Sequence, residues 1–191
     1  MLAAVAAVGL SKPRSSYANS PQGTPASAPG TAVANGSKQQ ARVERGKYLV
    51  ATSACNDCHT PLKMGASGPE PDMTRMLSGH PETLKVHAPK AGTPPWVVAV
   101  TSSNTAWAGP WGVSFTANLT PDAETGLGTW SEEEFVQTIR TGRHRARGRA
   151  LLPPMPIPAY SQFNDEDLRA IYAYLRAIPV VRNRVPNPIV P

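Results

Sequence analysis

Apolar residues keep a helical period toward the C-terminal end of the chain and lose it in the middle. Leu168, Ile171, Tyr172, Leu175 and Ile178 recur at spacings of three and four, which predicts a helix from Asp165 to about Ala177 with one buried stripe. Asn164 is placed to cap it, and Asp165, Glu166 and Asp167 suit the positive end of its dipole. Phe163 and Leu168 occupy the staple positions, and Pro179 ends the pattern. A second helix is predicted from Glu132 to about Thr141. Ser131 and Glu134 form a capping box, Trp130 and Phe135 a staple, and Gly142 a C-terminal stop. A third, weaker pattern predicts a helix from about Gln39 to Ala54, where Val43, Gly46, Val50 and Ser53 share a face. Gly46 lowers the helix propensity of that stretch. It makes sense where another backbone crosses closely.

Between these patterns, residues 60–120 sustain neither a period of two nor one of 3.6, and glycine and proline punctuate them. The expectation is a long irregular segment with one short helix near Asp72 to Leu77. Residues 19–40 are rich in Ser, Pro, Gly, Ala and Thr and are predicted to be a flexible linker. Before them, the apolar run Leu2 to Leu10 is too short to span a bilayer and has the length of a signal-peptide core. Ser16-Tyr17-Ala18 offers small residues where a signal peptidase would read them. Residues 1–18 are therefore expected to be a signal peptide or N-terminal anchor, although no basic residue precedes the run. Residues 184–191 are expected to be a proline-punctuated tail.

The two cysteines of the chain stand in Cys55-Asn56-Asp57-Cys58-His59. Thiols three residues apart lie on one side of a helical turn, from which both sulfurs can bond the vinyl groups of one porphyrin. The histidine that follows then supplies a nitrogen to the iron. A thioredoxin-like redox pair would want a βαβ pattern, and a zinc site would want more Cys or His at short spacing. One covalent haem c is the cofactor predicted. Haem attachment of this kind argues for export, so the expected location is the periplasm or the extracytoplasmic face of a membrane. The His59 ring N–H should donate to a backbone carbonyl, and Pro69 or Pro71 could offer it.

His59 leaves the second axial position of the iron to be filled. Met155 is the preferred residue, because Leu152-Pro153-Pro154-Met155-Pro156 fixes the backbone on both sides of a flexible thioether. His80, His87 and His144 sit among polar or charged residues and are expected to be surface histidines. Filling both axial positions leaves the iron no open site, which favours one-electron cycling over catalysis. The alternative is a haem enzyme with a displaceable sixth ligand, peroxidase-like, for which no distal acid–base group is clearly placed.

Charge adds one feature. The chain carries 19 Lys and Arg against 13 Asp and Glu, a net charge of +6. No recognition motif or aromatic-interleaved basic stripe points to nucleic acid. Arg140, Arg143, Arg145, Arg147 and Arg149 nevertheless crowd the approach to Met155. They suit haem propionates, or docking to an acidic partner or an anionic membrane surface.

These motifs together resemble a class I c-type cytochrome. The resemblance rests on Cys55-x-x-Cys58-His59 after an N-terminal helix, Gly46 and Val50 within that helix, Met155 downstream, and Ile171-Tyr172-Ala173-Tyr174-Leu175 near the end. It implies an all-α fold with three or more helices around one haem. It also implies that the first and last helices cross at Gly46 against Tyr174. Arg45-Gly46-Lys47-Tyr48-Leu49-Val50, Asn118-Leu119-Thr120-Pro121-Asp122 and Glu124-Thr125-Gly126-Leu127-Gly128-Thr129-Trp130-Ser131 are similar to the cytochrome subunits of bacterial membrane-bound alcohol and gluconate dehydrogenases. Those subunits repeat the unit three times, and this chain carries the haem motif once. At Ile157 the relatives usually carry tryptophan. A cytochrome domain over 41–183 is expected, working as a non-enzymatic one-electron carrier between a dehydrogenase and a respiratory acceptor.

Overall fold

Two helices cross at a glycine. The computed structural model describes residues 29–87 and 97–190, with side chains described from Gly36 onward. Helix α1 spans Pro29–Thr52 and helix α5 spans Asp165–Ala177. At the crossing, a Cβ on Gly46 would overlap the Ala170 carbonyl and lie 2.8 Å from Tyr174 Cβ. Only a residue without a side chain permits this approach. Leu49 and Val50 of α1 then meet Leu168, Ile171 and Leu175 of α5 in one apolar cluster. Each such side chain, fully buried, contributes roughly 1.5–3 kcal/mol. Arg45 bonds both carboxylate oxygens of Asp167, at 2.8 and 3.1 Å, and fixes the crossing from the solvent side. Helix α1 begins at Pro29, so residues 29–40, expected as flexible linker, are helical. The rest of that linker and the expected signal segment lie outside the described residues.

Helix α3, Glu132–Thr141, packs beside α5 and follows its sequence signals closely. Ser131 Oγ accepts from the Glu134 amide at 3.1 Å, and Glu134 Oε2 accepts from the Ser131 amide at 2.9 Å. Gly142 ends the helix with φ 63°, a left-handed conformation that glycine adopts without strain. Glu132 receives Arg169 of α5 at 2.8 Å and also pairs with Arg42 of α1, so one carboxylate ties three helices. Between α1 and α3 lies the short helix α2, Cys55–His59; helix α4, Ile157–Tyr160, follows the Met155 loop.

The expectation of an all-α fold needs correction. Strands β1, Leu62–Gly65, and β2, Gly68–Pro71, form one antiparallel hairpin. Strands β3, Ala99–Val100, β4, Ala106–Gly109, and β5, Gly112–Phe115, form a second antiparallel sheet in that order. None exceeds four residues, and glycine or proline bounds most of them. Strands this short hold too few alternations to leave a period in the sequence. Where a short helix is expected near Asp72 to Leu77, the chain makes a 3₁₀ turn at Met73–Arg75, with Asp72 capping Thr74. No helix among the described residues is long and apolar enough to cross a membrane.

Candidate functional site

The site is built where the helical half meets the sheet half. Ala54, in a left-handed conformation with φ 58°, turns the chain from α1 into α2. That turn brings Cys55, Cys58 and His59 onto the wall of an apolar cavity of about 370 Å³. Val50, Leu127, Phe135, Ile139, Leu168 and Leu175 also line this cavity. Both thiols are free and partly buried. Burial pushes the Cys55 thiol up to about 11 and raises Cys58 as well, with Asp57 adding to both. Burial likewise holds the His59 imidazole below its ordinary value, opposed by its bond to Ala117. It is therefore neutral at neutral pH, the form that ligates a metal.

The carbonyl that holds His59 is not Pro69 or Pro71. His59 Nδ1 lies 2.8 Å from the Ala117 carbonyl, to which it donates when Nδ1 carries the proton. That leaves Nε2 with no hydrogen-bond partner among the described residues. The intervening segment brings Ala117 there through several bonds between residues distant in the chain. Thr60 Oγ1 accepts the Leu77 amide at 2.9 Å, and the Gly79 amide donates to His59 O at 2.8 Å. Gly79, with φ 75°, passes so close to Thr116 and Ala117 that a Cβ there would strike both. Asn118 then holds the next turn, its Oδ1 accepting from Thr120 and its Nδ2 donating to Val181 O at 2.8 Å. A contact 58 residues away carries no local signal; Asn118-Leu119-Thr120-Pro121-Asp122 was the one hint of a built turn beside it.

Met155 lines the same cavity and packs against the helical core. Its loop is tied on both sides. Ser114 Oγ of β5 donates to Pro153 O at 2.5 Å, and the Ile157 amide donates to Met155 O at 2.9 Å. Ile157, the position of the departure from the resemblance, lies 3.2 Å from where a Gly142 Cβ would be. Met64 and Met73 are largely exposed, at 76% and 59%. Met76 touches the core without lining the cavity. Among the described residues, Met155 is thus the methionine that shares the cavity with His59.

The other histidines divide. His87 is exposed, as expected. His80 is not a surface residue: it is fully buried, with Nδ1 2.9 Å from Thr105 Oγ1 and Nε2 2.9 Å from Leu84 O. Polar partners of this kind make its burial possible. His144 is exposed, as expected, yet it borders the cavity edge-on to Trp130, with ring centroids 5.1 Å apart. Of the arginines, Arg140 pairs with Asp165 and Arg145 with Glu134, while Arg149 borders the cavity. Arg143, Arg147 and Arg149 have no carboxylate within salt-bridge distance among the described residues.

A sequence profile of the family described as Cytochrome c matches residues 43–179. The chain belongs to the cytochrome c family. One of the subunits of nicotinate dehydrogenase from Pseudomonas putida is 31% identical over 83% of this chain. The cytochrome c subunit of gluconate 2-dehydrogenase from Pantoea cypripedii is 31% identical over 75%. The cytochrome c subunit of a quinone-type alcohol dehydrogenase from Gluconobacter oxydans is 29% identical over 71%. The matches cover 10%, 24% and 21% of those proteins, so this cytochrome spans at most about a quarter of each. Membership implies one covalently bound haem c and electron transfer through it. The cavity fits that group on its own chemistry. It offers two free thiols, a neutral imidazole with one nitrogen held and the other free, a thioether, and an apolar wall.

Proposed function

We propose that Cys55 and Cys58 hold the haem, that His59 and Met155 ligate its iron, and that the protein carries single electrons from a dehydrogenase to a respiratory acceptor outside the cytoplasm. The observation that carries this reading is the shared cavity. Two thiols and a buried imidazole from one short helix, and a methionine from a loop far downstream, line the same apolar space. Each thiol would add across one vinyl group, its proton going to the neighbouring carbon, so nothing is lost in the bond. When bound, the haem supplies a ferric–ferrous couple.

The chain's own residues do the rest. Ala117 holds His59 in one tautomer and orientation. Ser114 and the Ile157 amide hold the Met155 loop, so little freedom is lost in keeping the thioether in place. The surrounding aliphatic and aromatic side chains exclude water. A His/Met pair in such a setting pushes the potential upward. Arg143, Arg147 and Arg149, which have no carboxylate partner among the described residues, suit an acidic redox partner and would raise its rate of encounter. The names of the relatives, subunits of dehydrogenases for gluconate and for alcohol, support a dehydrogenase as donor.

The test is Met155→Ala, matured with haem in a host that attaches it. The wild-type oxidised protein is expected to show a sulfur-to-iron charge-transfer absorption. The variant should lose it and titrate at a lower potential. An unchanged spectrum and potential would remove Met155 from the iron.

A further inference from the structure

The family match ends at residue 179, yet the cavity wall does not. Arg184, Val185, Pro186, Asn187 and Pro188 line the same cavity as Cys55, Cys58, His59 and Met155. The stretch set apart in the sequence as a tail is anchored at both ends. At its start, Asn183 is completely buried. Its Oδ1 accepts from Arg75 and from the Glu82 amide, both at 2.9 Å. Its Nδ2 donates to Ser78 O at 2.7 Å and to His80 O at 2.8 Å. At its far end, Ile189 exchanges both backbone hydrogen bonds with Val113 of β5, at 2.7 and 2.9 Å. Gly112, with φ 94°, makes room for this, since a Cβ there would strike Ile189 O.

Between the anchors, two of the five residues are proline. Proline has no amide to leave unsatisfied against an apolar surface, and its fixed φ lowers the entropy lost on ordering the segment. The near anchor also touches the ligand side of the site. Asn118 Nδ2 donates to Asn183 O at 3.4 Å and to Val181 O, two residues earlier, at 2.8 Å, and Asn118 follows directly on the residue whose carbonyl holds His59.

We propose that residues 183–189 form a fixed strap that closes one wall of the haem cavity and, by excluding water there, holds the reduction potential up. This rests on the haem assignment above and assigns the strap a positioning and dielectric role beyond the family core. The oxidised iron centre carries one more positive charge than the reduced one. Water reaching the cavity stabilises the more charged state, so the potential falls when the cover is removed.

The experiment uses the haem-loaded protein in two forms besides the full chain. One is a chain ending after Arg184, which keeps Asn183 and the guanidinium next to the cavity. The other is the full-length double substitution Val185→Ser and Pro186→Ser. Redox titration should give a lower midpoint potential for the truncated chain, with the sulfur-to-iron absorption retained. The same potential in truncated and full chains would overturn the proposal. If the truncated chain does not mature, the double variant decides in the same way, its thermal midpoint reporting whether it is folded like the parent. A lower potential there supports the strap, and an unchanged one removes it. If the full chain itself lacks the sulfur-to-iron absorption, the Met155 assignment fails, while the comparison of potentials still judges the strap.

Discussion

The helices α1, α3 and α5 and the segment from Thr60 to Leu119 hold the site in different ways. In the helical half, each element is set locally by caps and stripes, and one close crossing of α1 on α5 then places Val50, Phe135 and Leu175 on the cavity wall. In the segment, order is long-range. Thr60 meets Leu77, His59 meets Gly79 and Ala117, and Asn118 meets Val181. Helices here supply the apolar container, while the irregular half supplies the polar contacts that orient His59. The two halves should therefore fail differently when perturbed.

The largest effect is expected at the helix crossing. Gly46→Ala puts a methyl group into the Ala170 backbone and Tyr174, with no flexible atom to give way. Overpacking of this kind costs about 3 kcal/mol, and α1 and α5 must separate. Denaturant titration of the haem-loaded variant checks it; a loss below about 1 kcal/mol would mean the crossing is looser than described. This substitution should leave the orientation of His59 intact in whatever fraction is folded.

The irregular half should show the opposite balance. Asn118→Ala takes from Val181 O one of its two donors, Thr120 Oγ1 being the other, and leaves the Thr120 amide without an acceptor, next to Ala117. Stranding buried polar groups costs about 1–3 kcal/mol. Unlike Gly46→Ala, it should also move the His59 resonances and the potential of the loaded protein. A loss of stability with an unaltered imidazole environment would break the contrast between the halves.

The smallest effect lies at the surface of the crossing. Hydrogen bonding from Arg45 holds the Asp167 carboxyl below the usual carboxylate range. A group whose folded value is depressed contributes stability above its unfolded value, near 4, and loses it as the pH falls through the folded one. Thermal midpoints of the wild type should fall more steeply than those of Arg45→Gln below about pH 4. The difference is small, because Arg45 is half exposed and solvent screens the pair. Parallel curves would mean that this ion pair contributes nothing.

The same division governs how much could be foreseen from the residues. Helices α3 and α5 match their predicted bounds, because Ser131, Glu134, Gly142 and Asn164 encode their ends within a few residues. Gly46 foretold the crossing, since a glycine inside a helical stripe has few other reasons to be there. The Cys55-to-His59 motif placed three site residues together before any fold was known. The strands went unseen because four residues carry too little alternation, and their pairing is decided by partners elsewhere. The burial of His80 is hidden from the sequence for a related reason: of Thr105 and Leu84, which satisfy its ring, one lies 25 residues away. Ala117 has no side-chain chemistry to notice. The anchoring of residues 183–189 leaves no trace in the sequence, because a proline-rich stretch lacks a period whether it is loose or tied down by Asn183 and Ile189.

The central claim is that one haem is bonded to this polypeptide through Cys55 and Cys58. The direct measurement is the intact mass of the protein from a haem-attaching host, taken after denaturation and acidified-solvent extraction. A mass equal to the chain plus one haem, with the pigment staying on the protein and lost only when both cysteines are replaced by alanine, is the predicted result. A bare polypeptide mass with the pigment in the solvent would contradict it.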